Sequence, residues 1–305
     1  MSKAPIAFFA YKRPLHTEQT LEALSRCEGA KDSELFIFCD GAKGPKDAAG
    51  VTEVRKIIRS RKWCGGVHII EKDENQGLEN SIIQGVTELC DKYGRVIVIE
   101  DDLITSKYFL DYMNTALDLF KKNERVMQIS GYMFPIKIKT ETDSAFLPFT
   151  TSWGWATWKR AWNHFDKDMK GYIRLKDDAV LRHRFNLEGS YPYFKIFKAN
   201  RKGSPVPWDI RWYLSVFMLH GLTLFPSQTL IQNIGFDGSG THCTTAGRDV
   251  YSSGMQENFR VVTFPQKIEM SEIVFAECKK ILKKQRGHLF NRIKGTLSAI
   301  VEKYI

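Results

Sequence analysis

The chain has 305 residues, of which 43% are hydrophobic, and this is enough for one large or two small globular domains. There are 45 Lys and Arg against 35 Asp and Glu, so the formal net charge is +10. The composition excludes a disordered or fibrous protein. No apolar run approaches the roughly 20 residues that cross a bilayer. The six cysteines lack metal-ligand spacing and no signal peptide is recognisable, which predicts a reduced, cytoplasmic protein.

Short apolar runs alternate with amphipathic patterns over the first 130 residues. The runs predict five buried strands, over 4–11, 34–40, 67–72, 95–100 and 126–130. The patterns predict four helices, over 15–27, 51–62, 78–93 and 107–122, with Ser106 as the cap of the last. This alternation predicts an α/β fold with a mostly parallel sheet, right-handed connections and helices on both faces.

After residue 131 the pattern loosens and aromatic residues become frequent. A helix over 209–219 and a strand over 222–226 are predicted, followed by a glycine-rich loop over 235–247. Residues 267–305 hold nine basic and four acidic side chains, a net of +5, on an amphipathic helical pattern that begins near 270. The chain is therefore predicted to have a body over 1–265, with halves 1–130 and 131–265, and a basic helical tail over 266–305.

Glu100, Asp101 and Asp102, here called the acidic motif, come directly after the fourth predicted strand. Ligands of open parallel sheets bind beyond the carboxyl ends of the strands. Three adjacent carboxylates repel one another unless a cation compensates, and their oxygens suit a hard divalent ion that could also hold a diphosphate. The alternative is a solvated acidic loop that only ends the strand.

Other polar residues end or follow the neighbouring strands. Asp40 could accept hydrogen bonds from a base or ribose, or it could be an ordinary Asp-Gly turn residue. Asn75 and Gly77 open a helix whose amides could meet a phosphate, or they could form a plain cap. Arg13 follows the first strand. It could contact a bound ligand, or it could be an ordinary solvated charge.

Two candidates lie among the aromatic residues of the second half. Asp209 could be a general base held against a hydrophobic wall, or an acid that only complements a helix dipole. Trp155, in the segment SWGWATW, has the composition of a core residue, although aromatic faces also suit the apolar faces of sugar rings. His242, in the glycine-rich loop, could be a ligand or a donor.

In their order along the chain, these motifs resemble GT-A glycosyltransferases. The resemblance is closer to the N-acetylglucosaminyltransferase I group and to bacterial sugar transferases with the same acidic motif. The matching pieces span roughly 5–245 and are Arg13-Pro14, Asp40-Gly41, Val98-Ile99-Glu100-Asp101-Asp102-Leu103, Tyr108-Phe109, Ser130-Gly131, Gly154-Trp155, Trp162, Trp208-Asp209 with Trp212, and Gly240-Thr241-His242. The Glu-Asp-Asp-Leu and Trp-Asp pieces are the most specific.

The resemblance implies a GT-A fold and an inverting transfer of a hexose or N-acetylhexosamine, with N-acetylglucosamine favoured, from a UDP-sugar. The acceptor would be a hydroxyl of a saccharide or a lipid-linked glycan. Asp102 would be the ligand of Mn²⁺ or Mg²⁺, and Asp209 the catalytic base. The residues implied to bind the nucleotide sugar are Ala10, Tyr11, Arg13, Asp40, Asn75, Gly77, Glu100, Asp101, Trp155 and Thr241.

Two other classes compete with this interpretation. A sugar nucleotidyltransferase could use the same sheet and metal, but it would normally have a glycine-rich phosphate loop where this chain has Ala10-Tyr11-Lys12-Arg13-Pro14. A nucleic-acid-binding protein would fit the net charge, yet the acidic motif would repel a polyanion, so no nucleic-acid partner is expected.

The basic tail has alternatives of its own. It could lie on an anionic membrane surface near a lipid-linked acceptor, which would make the enzyme peripheral on the inner face of the membrane. It could equally pack on the body of the protein or on a second subunit.

Overall fold

The computed structural model describes residues 2–200, 206–238 and 254–284, with side chains described as far as 197 in the first range. Its strands, in chain order, are β1 (Ile6–Ala10), β2 (Glu34–Cys39), β3 (Gly66–Glu71), β4 (Arg95–Glu100), β5 (Leu103–Thr105), β6 (Val126–Ser130), β7 (Ser144–Leu147), β8 (Trp155–Trp158), β9 (Leu222–Pro226) and β10 (Ile231–Asn233). Its helices are α1 (Pro14–Ser25), α2 (Pro45–Arg59), α3 (Leu78–Tyr93), α4 (Phe109–Leu119), α5 (Lys159–Trp162), α6 (Gly171–Asp177), α7 (Ala179–Phe185), α8 (Phe194–Asn200), α9 (Trp208–Met218) and α10 (272–284).

The central sheet has the strand order β3-β2-β1-β4-β8-β6-β9-β7. Strands β1 to β4 run parallel to one another, and β6 is parallel to β9. Strand β8 lies antiparallel between β4 and β6, and β7 is antiparallel to β9. A separate two-stranded sheet pairs β5 with β10. The predicted α/β fold with a mostly parallel sheet flanked by helices is confirmed.

Alternation along β1 shows why both faces of the sheet are covered. Ile6 and Phe8 pack with apolar side chains of α1, α2 and α4, whereas Ala7 and Phe9 pack with those of α3. Because every residue of this strand is buried, a continuous apolar run replaces the alternation of polar and apolar residues found in half-exposed strands.

Several boundaries differ from the sequence-based expectation. Helix α2 begins at Pro45, six residues earlier than predicted, because proline is well suited to a first helical turn. Ser106 does not cap α4: its hydroxyl is buried without a partner among the described residues, and the Phe109 amide donates to its carbonyl oxygen at 3.2 Å. The strands β5, β7, β8 and β10 and the short helices α6–α8 were not predicted.

The second half of the chain builds an aromatic core of its own beneath α9. Phe185 stacks on Tyr213 with ring centroids 4.6 Å apart, and Phe149 lies 6.4 Å from Phe275 of α10. Helix α10 buries Val274 and Leu282 in the same cluster. The described start of the predicted tail therefore packs on the body, and 285–305 lie outside the described residues. Within the described ranges, no helix is both long and apolar enough to traverse a bilayer.

Candidate functional site

The acidic motif lies at the carboxyl edge of the parallel part of the sheet, where Glu100 ends β4. Asp101 and Asp102 are buried, with 4% and 9% of their surfaces exposed. Thr20 of α1 donates its hydroxyl to the Asp101 carbonyl at 2.9 Å, and the Ile234 amide donates to the Asp102 carbonyl at 2.9 Å. The backbone of the motif is therefore held in place from two sides.

Arg13, which joins β1 to α1, pairs with two carboxylates of the acidic motif. Its Nη2 lies 2.9 Å from Asp102 Oδ2 and also bonds Asp101 Oδ1. Burial opposes the charge of the guanidinium, but the two carboxylates outweigh burial and raise the pKa of Arg13. Burial likewise raises the pKa of Asp101, and Arg13 opposes that rise. Arg13 is thus the counterion of the acidic motif. The sequence placed Arg13 near the site but did not predict its ion pairs with Asp101 and Asp102.

The carboxyl group of Glu100 ionises less readily than that of an exposed glutamate. Burial raises its pKa well above the ordinary value, and the charges of Asp102, Asp101 and Asp209 raise it further. Asp209 therefore lies within electrostatic range of Glu100, although 109 positions separate the two in the sequence. Among the described residues, Arg13 pairs with Asp101 and Asp102, so the three carboxyl groups of the acidic motif outnumber the guanidinium and the motif has an excess of negative charge.

This excess fits a divalent cation with oxygen ligands. Among the described residues, no group of three or more His, Cys, Asp or Glu side chains is arranged to hold a metal by itself. Asp102 Oδ2 points toward Gly235 and Arg13. An ion bound by Asp102 would accordingly need further oxygen ligands from a bound molecule, and a diphosphate has them.

The segment after β10 closes against the acidic motif. A Cβ atom on Gly235 would overlap Asp102 Oδ2 and lie 3.2 Å from Arg13 Nη1, so only glycine fits there without displacement. Asp237 Oδ2, two residues later, lies 3.2 Å from His16 Nε2 of α1. Sequence reasoning missed the role of Gly235, because a glycine in a glycine-rich loop gives no sign of which side chain it approaches.

The resemblance implies that Asp102 holds a metal bound to UDP; on that basis, replacing Gly235 by alanine should weaken Mn²⁺-dependent UDP binding by about 10- to 100-fold, because the added methyl group displaces the Asp102 carboxylate. Isothermal titration calorimetry with UDP, with and without Mn²⁺, measures this loss. Gly254→Ala is the matched control, since a Cβ atom there meets nothing within 4 Å. Unchanged UDP affinity in Gly235→Ala would contradict the close approach seen here.

Asp40 organises the loop that leads into α3. Its Oδ1 accepts from the amides of Gly41 at 2.9 Å and Gln76 at 2.8 Å. Its Oδ2 accepts from Asn75 Nδ2 and from the Gly77 amide, both at 2.9 Å. The structure thus brings three predicted residues together, but a carboxylate has about four acceptor positions and all four are filled. A direct contact between Asp40 and uracil stays a prediction that would need one of these bonds to break.

Asp40→Asn should lower the free energy of unfolding by about 1–3 kcal/mol, since an amide nitrogen would face a backbone N–H donor and leave it unsatisfied. Urea denaturation measures the change. Asp73→Asn, an exposed substitution in the same connection, is the control and should stay within about 0.5 kcal/mol of the original protein. Equal stability of the two variants would show that the four hydrogen bonds of Asp40 are unimportant.

Ala10 and Tyr11 lie at the end of β1, beside this loop. Ala10 is buried. The Tyr11 hydroxyl donates to Asp47 Oδ2 at 2.8 Å and accepts from the Lys43 amide at 2.9 Å, which ties it to the start of α2. Burial raises the pKa of Tyr11, and Asp47 adds to the rise. Its half-buried ring is held at the sheet edge, and contact with a nucleotide stays a prediction for both residues.

Trp155 is a correction to the sequence-based site. It belongs to β8, is fully buried and stacks on Trp208 with ring centroids 5.5 Å apart. A side chain with no exposed surface cannot be a direct contact for a nucleotide sugar. It supports Trp208 instead, the residue that precedes Asp209. Thr241 and His242 lie outside the described residues.

Asp209 lies in the first turn of α9, and its Oδ1 accepts from the Ile210 amide at 2.9 Å. Two residues further on, the buried guanidinium of Arg211 pairs with Glu79 in the first turn of α3. This ion pair joins the helix that carries Asp209 to the helix that follows the Asp40 loop. Sequence reasoning missed the pair, because the two charges are 132 positions apart and nothing in the local pattern links them.

Comparisons with known proteins give structural likeness only. No protein-family model matches the chain, and no curated protein is similar to it in sequence. Similar solved structures include apo mouse xyloside xylosyltransferase 1, with 13% identity, TM-score 0.38, and 72% of this chain and 82% of that chain covered. Another is the mannosyltransferase PcManGT from Pyrobaculum calidifontis in complex with GDP-Man and Mn²⁺, with 10% identity, TM-score 0.36, and coverage of 71% and 70%.

A third is GalNAc-T7 with UDP, GalNAc and Mn²⁺, with 10% identity, TM-score 0.42, and coverage of 74% of this chain and 43% of that chain. At identities this low, the roles of individual side chains follow from their own contacts.

Proposed function

We propose that this chain is a metal-dependent glycosyltransferase that moves a sugar from a nucleoside-diphosphate sugar to a hydroxyl group. The observation that most supports the proposal is the acidic motif at the carboxyl edge of the parallel strands, where Arg13 is paired with Asp101 and Asp102. In this proposal the motif holds the cation and the diphosphate, and Asp209, whose charge acts on Glu100, is the general base. The proposal also agrees with the resemblance of the ordered motifs to GT-A glycosyltransferases.

The two halves of the chain supply different parts of this site. Arg13, Asp40 and the acidic motif come from the first 130 residues, whereas Asp209 comes from the second half. This distribution supports a nucleotide-sugar half over 1–130 and an acceptor half over 131–265. Asp102 would hold a Mn²⁺ or Mg²⁺ ion, which would supply positive charge to the diphosphate leaving group.

The proposed reaction is a single displacement with inversion at the anomeric carbon. The acceptor oxygen forms a bond to that carbon while the bond from the carbon to the diphosphate oxygen breaks. Asp209 takes the proton of the acceptor hydroxyl, which is a poor nucleophile while it keeps its proton. Arg13, at the same edge of the sheet as the acidic motif, would stabilise the negative charge of the departing diphosphate.

The donor that we propose is a UDP-sugar with a hexose or N-acetylhexosamine, with N-acetylglucosamine as the first choice. The acceptor that we propose is a saccharide or a lipid-linked glycan. Contact of the tail with an anionic membrane also stays a prediction, because residues 285–305 lie outside the described ranges.

A panel of UDP- and GDP-sugars, incubated with the protein and Mn²⁺, tests the proposed function. We expect nucleoside diphosphate to be released from one donor, and release to stop when the metal is chelated. Release of pyrophosphate from a nucleoside triphosphate and a sugar phosphate would instead indicate a nucleotidyltransferase. Salt-sensitive retention on DNA, without turnover of any donor, would indicate a nucleic-acid-binding protein.

A further inference from the structure

Arg211 is a buried charge at the start of α9. Its guanidinium forms an ion pair with Glu79 of α3, and the two side chains are 8% and 35% exposed. Its Nη1 donates to the Lys167 carbonyl oxygen at 3.4 Å, and its Nε has no hydrogen-bond partner among the described residues. Within that part of the chain, Glu79 is the carboxylate that compensates the charge of Arg211.

The stability of the fold does not by itself explain an ion pair at this place. The two helices already share an apolar cluster, in which Trp212 and Val216 of α9 lie with Ile82 and Val86 of α3. Taking two charges out of water cancels much of their attraction, so a further apolar contact would stabilise the fold at least as well. What the ion pair adds is one preferred arrangement of the helices, because any other arrangement leaves the guanidinium buried without its counterion.

Each partner of the ion pair is close in sequence to a part of the proposed site. Glu79 is in the first turn of α3, two residues after Gly77, whose amide donates to Asp40 Oδ2 at 2.9 Å. Arg211 comes two residues after Asp209. The ion pair therefore connects the loop of the proposed nucleotide half with the helical turn that carries the proposed base.

The surroundings of Arg211 suit a residue that holds the helix. Successive residues of an α-helix are about 100° apart, so side chains two positions apart, such as those of Asp209 and Arg211, project in nearly opposite directions. The guanidinium lies 5.7 Å from the ring centre of Phe165, which belongs with Lys167 to the loop after α5. Arg211 thus contacts the framework around α9.

We propose that Arg211 is a positioning residue, which holds the start of α9 against α3 through its ion pair with Glu79 and so fixes the place of Asp209. The inference rests on the proposed function, because it takes Asp209 as the base. It goes further by assigning a part in turnover to two residues that touch neither donor nor acceptor. A displacement of about 1 Å can cost about 100-fold in rate, so even a small shift of α9 would slow the reaction.

Other contacts hold α9 in place without reaching α3. Gln128 of β6 accepts from Trp212 Nε1 at 2.6 Å, and the Ser215 hydroxyl accepts from the Asp166 amide at 2.8 Å. The helix should therefore stay folded when the ion pair is removed, and change only its position relative to α3. Folding and positioning can for this reason be measured separately.

The test is a double-mutant cycle with Arg211→Met and Glu79→Gln in the full chain, in which kcat and KM are measured for the donor that is turned over. Each single variant should lower kcat about 10- to 100-fold. KM for the donor, and the affinity for UDP with Mn²⁺, should stay within about threefold of the original protein. The double variant should lose no more than a single variant, because the interaction is already absent in each. Arg211→Lys, which keeps the charge, should recover part of the loss.

The ion pair of Arg95 and Asp118 is the matched control. Its Nη1 and Oδ1 atoms are 2.6 Å apart and its side chains are 15% and 34% exposed, which is close to the burial of the pair on α9. It lies at the start of β4, whereas the acidic motif follows the end of that strand. Arg95→Met and Asp118→Asn should therefore keep kcat within about threefold of the original protein.

The folded fraction of each variant is measured as the number of UDP sites per chain, by calorimetry with Mn²⁺. Glu79→Gln leaves a buried guanidinium without its counterion, which is strongly destabilising. Arg211→Met removes the buried charge itself, so it keeps the test valid if Glu79→Gln does not fold.

Three results would overturn the inference and leave the proposed function intact. They are an unchanged kcat in Arg211→Met, a fall in kcat that equals the fall in the number of UDP sites, and losses that add up in the double variant. An equal loss of kcat in Arg95→Met would also overturn it, since any buried ion pair would then have the same effect. Absence of donor turnover in the unmodified protein would instead contradict the proposed function.

Discussion

Replacing Asp209 by asparagine should lower turnover by about 10²- to 10⁴-fold while the affinity for UDP and Mn²⁺ stays close to that of the original protein. Asparagine keeps the size of the side chain, so the first turn of α9 should persist. What is lost is the ability to take a proton from the acceptor hydroxyl. Steady-state kinetics gives the change in kcat, and calorimetry gives the change in donor affinity.

Two other acids serve as controls for this role. Glu188 pairs with Lys279 of α10, and Asp237 lies 3.2 Å from His16, so each already has a cationic or imidazole partner. Glu188→Gln and Asp237→Asn should therefore keep turnover within about tenfold of the original protein. Near-normal turnover in Asp209→Asn, or a loss confined to one of these controls, would assign the base to another residue.

Asp102→Ala should remove the Mn²⁺-dependent part of UDP binding, a loss of at least about 100-fold, since even changes behind a metal ligand cost 10- to 100-fold. The variant should still fold, because Arg13 keeps its bond to Asp101 and a crowded carboxylate has been removed. Calorimetry with UDP is run with Mn²⁺ and again with a chelator, and a thermal melt checks the fold.

Asp168→Ala, an exposed substitution outside the site, is the control for Asp102→Ala. If the metal dependence of UDP binding persists in Asp102→Ala, the ion is held elsewhere and the proposed role of the acidic motif is wrong. If UDP affinity falls equally with and without Mn²⁺, Asp102 acts on the nucleotide by way of Arg13 rather than on the ion.

The first half of the fold was predictable from the sequence, and the second half was only partly so. Strands such as β4 are continuous apolar runs with polar residues at both ends, and they sit in the centre of the sheet, where burial alone decides the structure. In the sequence, the residues of β8 are part of a cluster of tryptophans and show no strand pattern. They become a strand because β4 and β6 offer them hydrogen bonds from both sides, which no local pattern reveals.

The candidate site also has a part that the sequence predicts and a part that it does not. Positions at strand ends are predictable, so Arg13, Asp40 and the acidic motif were found at the edge where the structure places them. Their partners were not predictable: the four bonds of Asp40 to its loop depend on how β2 and α3 meet. Trp155 was misplaced because a tryptophan between small residues suits a sugar site and a core equally well.

The Arg211–Glu79 ion pair shows what tertiary structure adds to a motif. It joins α9, which carries the proposed base, to α3, which lies beside the proposed nucleotide site. A displacement of one helix would therefore strain this contact with the other. A charged pair at such a joint restrains geometry more than it stabilises folding, because taking two charges out of water cancels much of their attraction.

The imbalance of charge around Glu100 also has a consequence for the folded protein as a whole. Among the described residues, the acidic motif brings three carboxyl groups together beside the guanidinium of Arg13, and protonation of Glu100 relieves part of their repulsion. Since its pKa is higher in the folded than in the unfolded chain, this group favours unfolding increasingly as the pH rises above its ordinary value. The contribution of Glu100 to the stability of the metal-free protein should therefore fall as the pH rises through this range, and a cation bound at this edge would offset part of that loss.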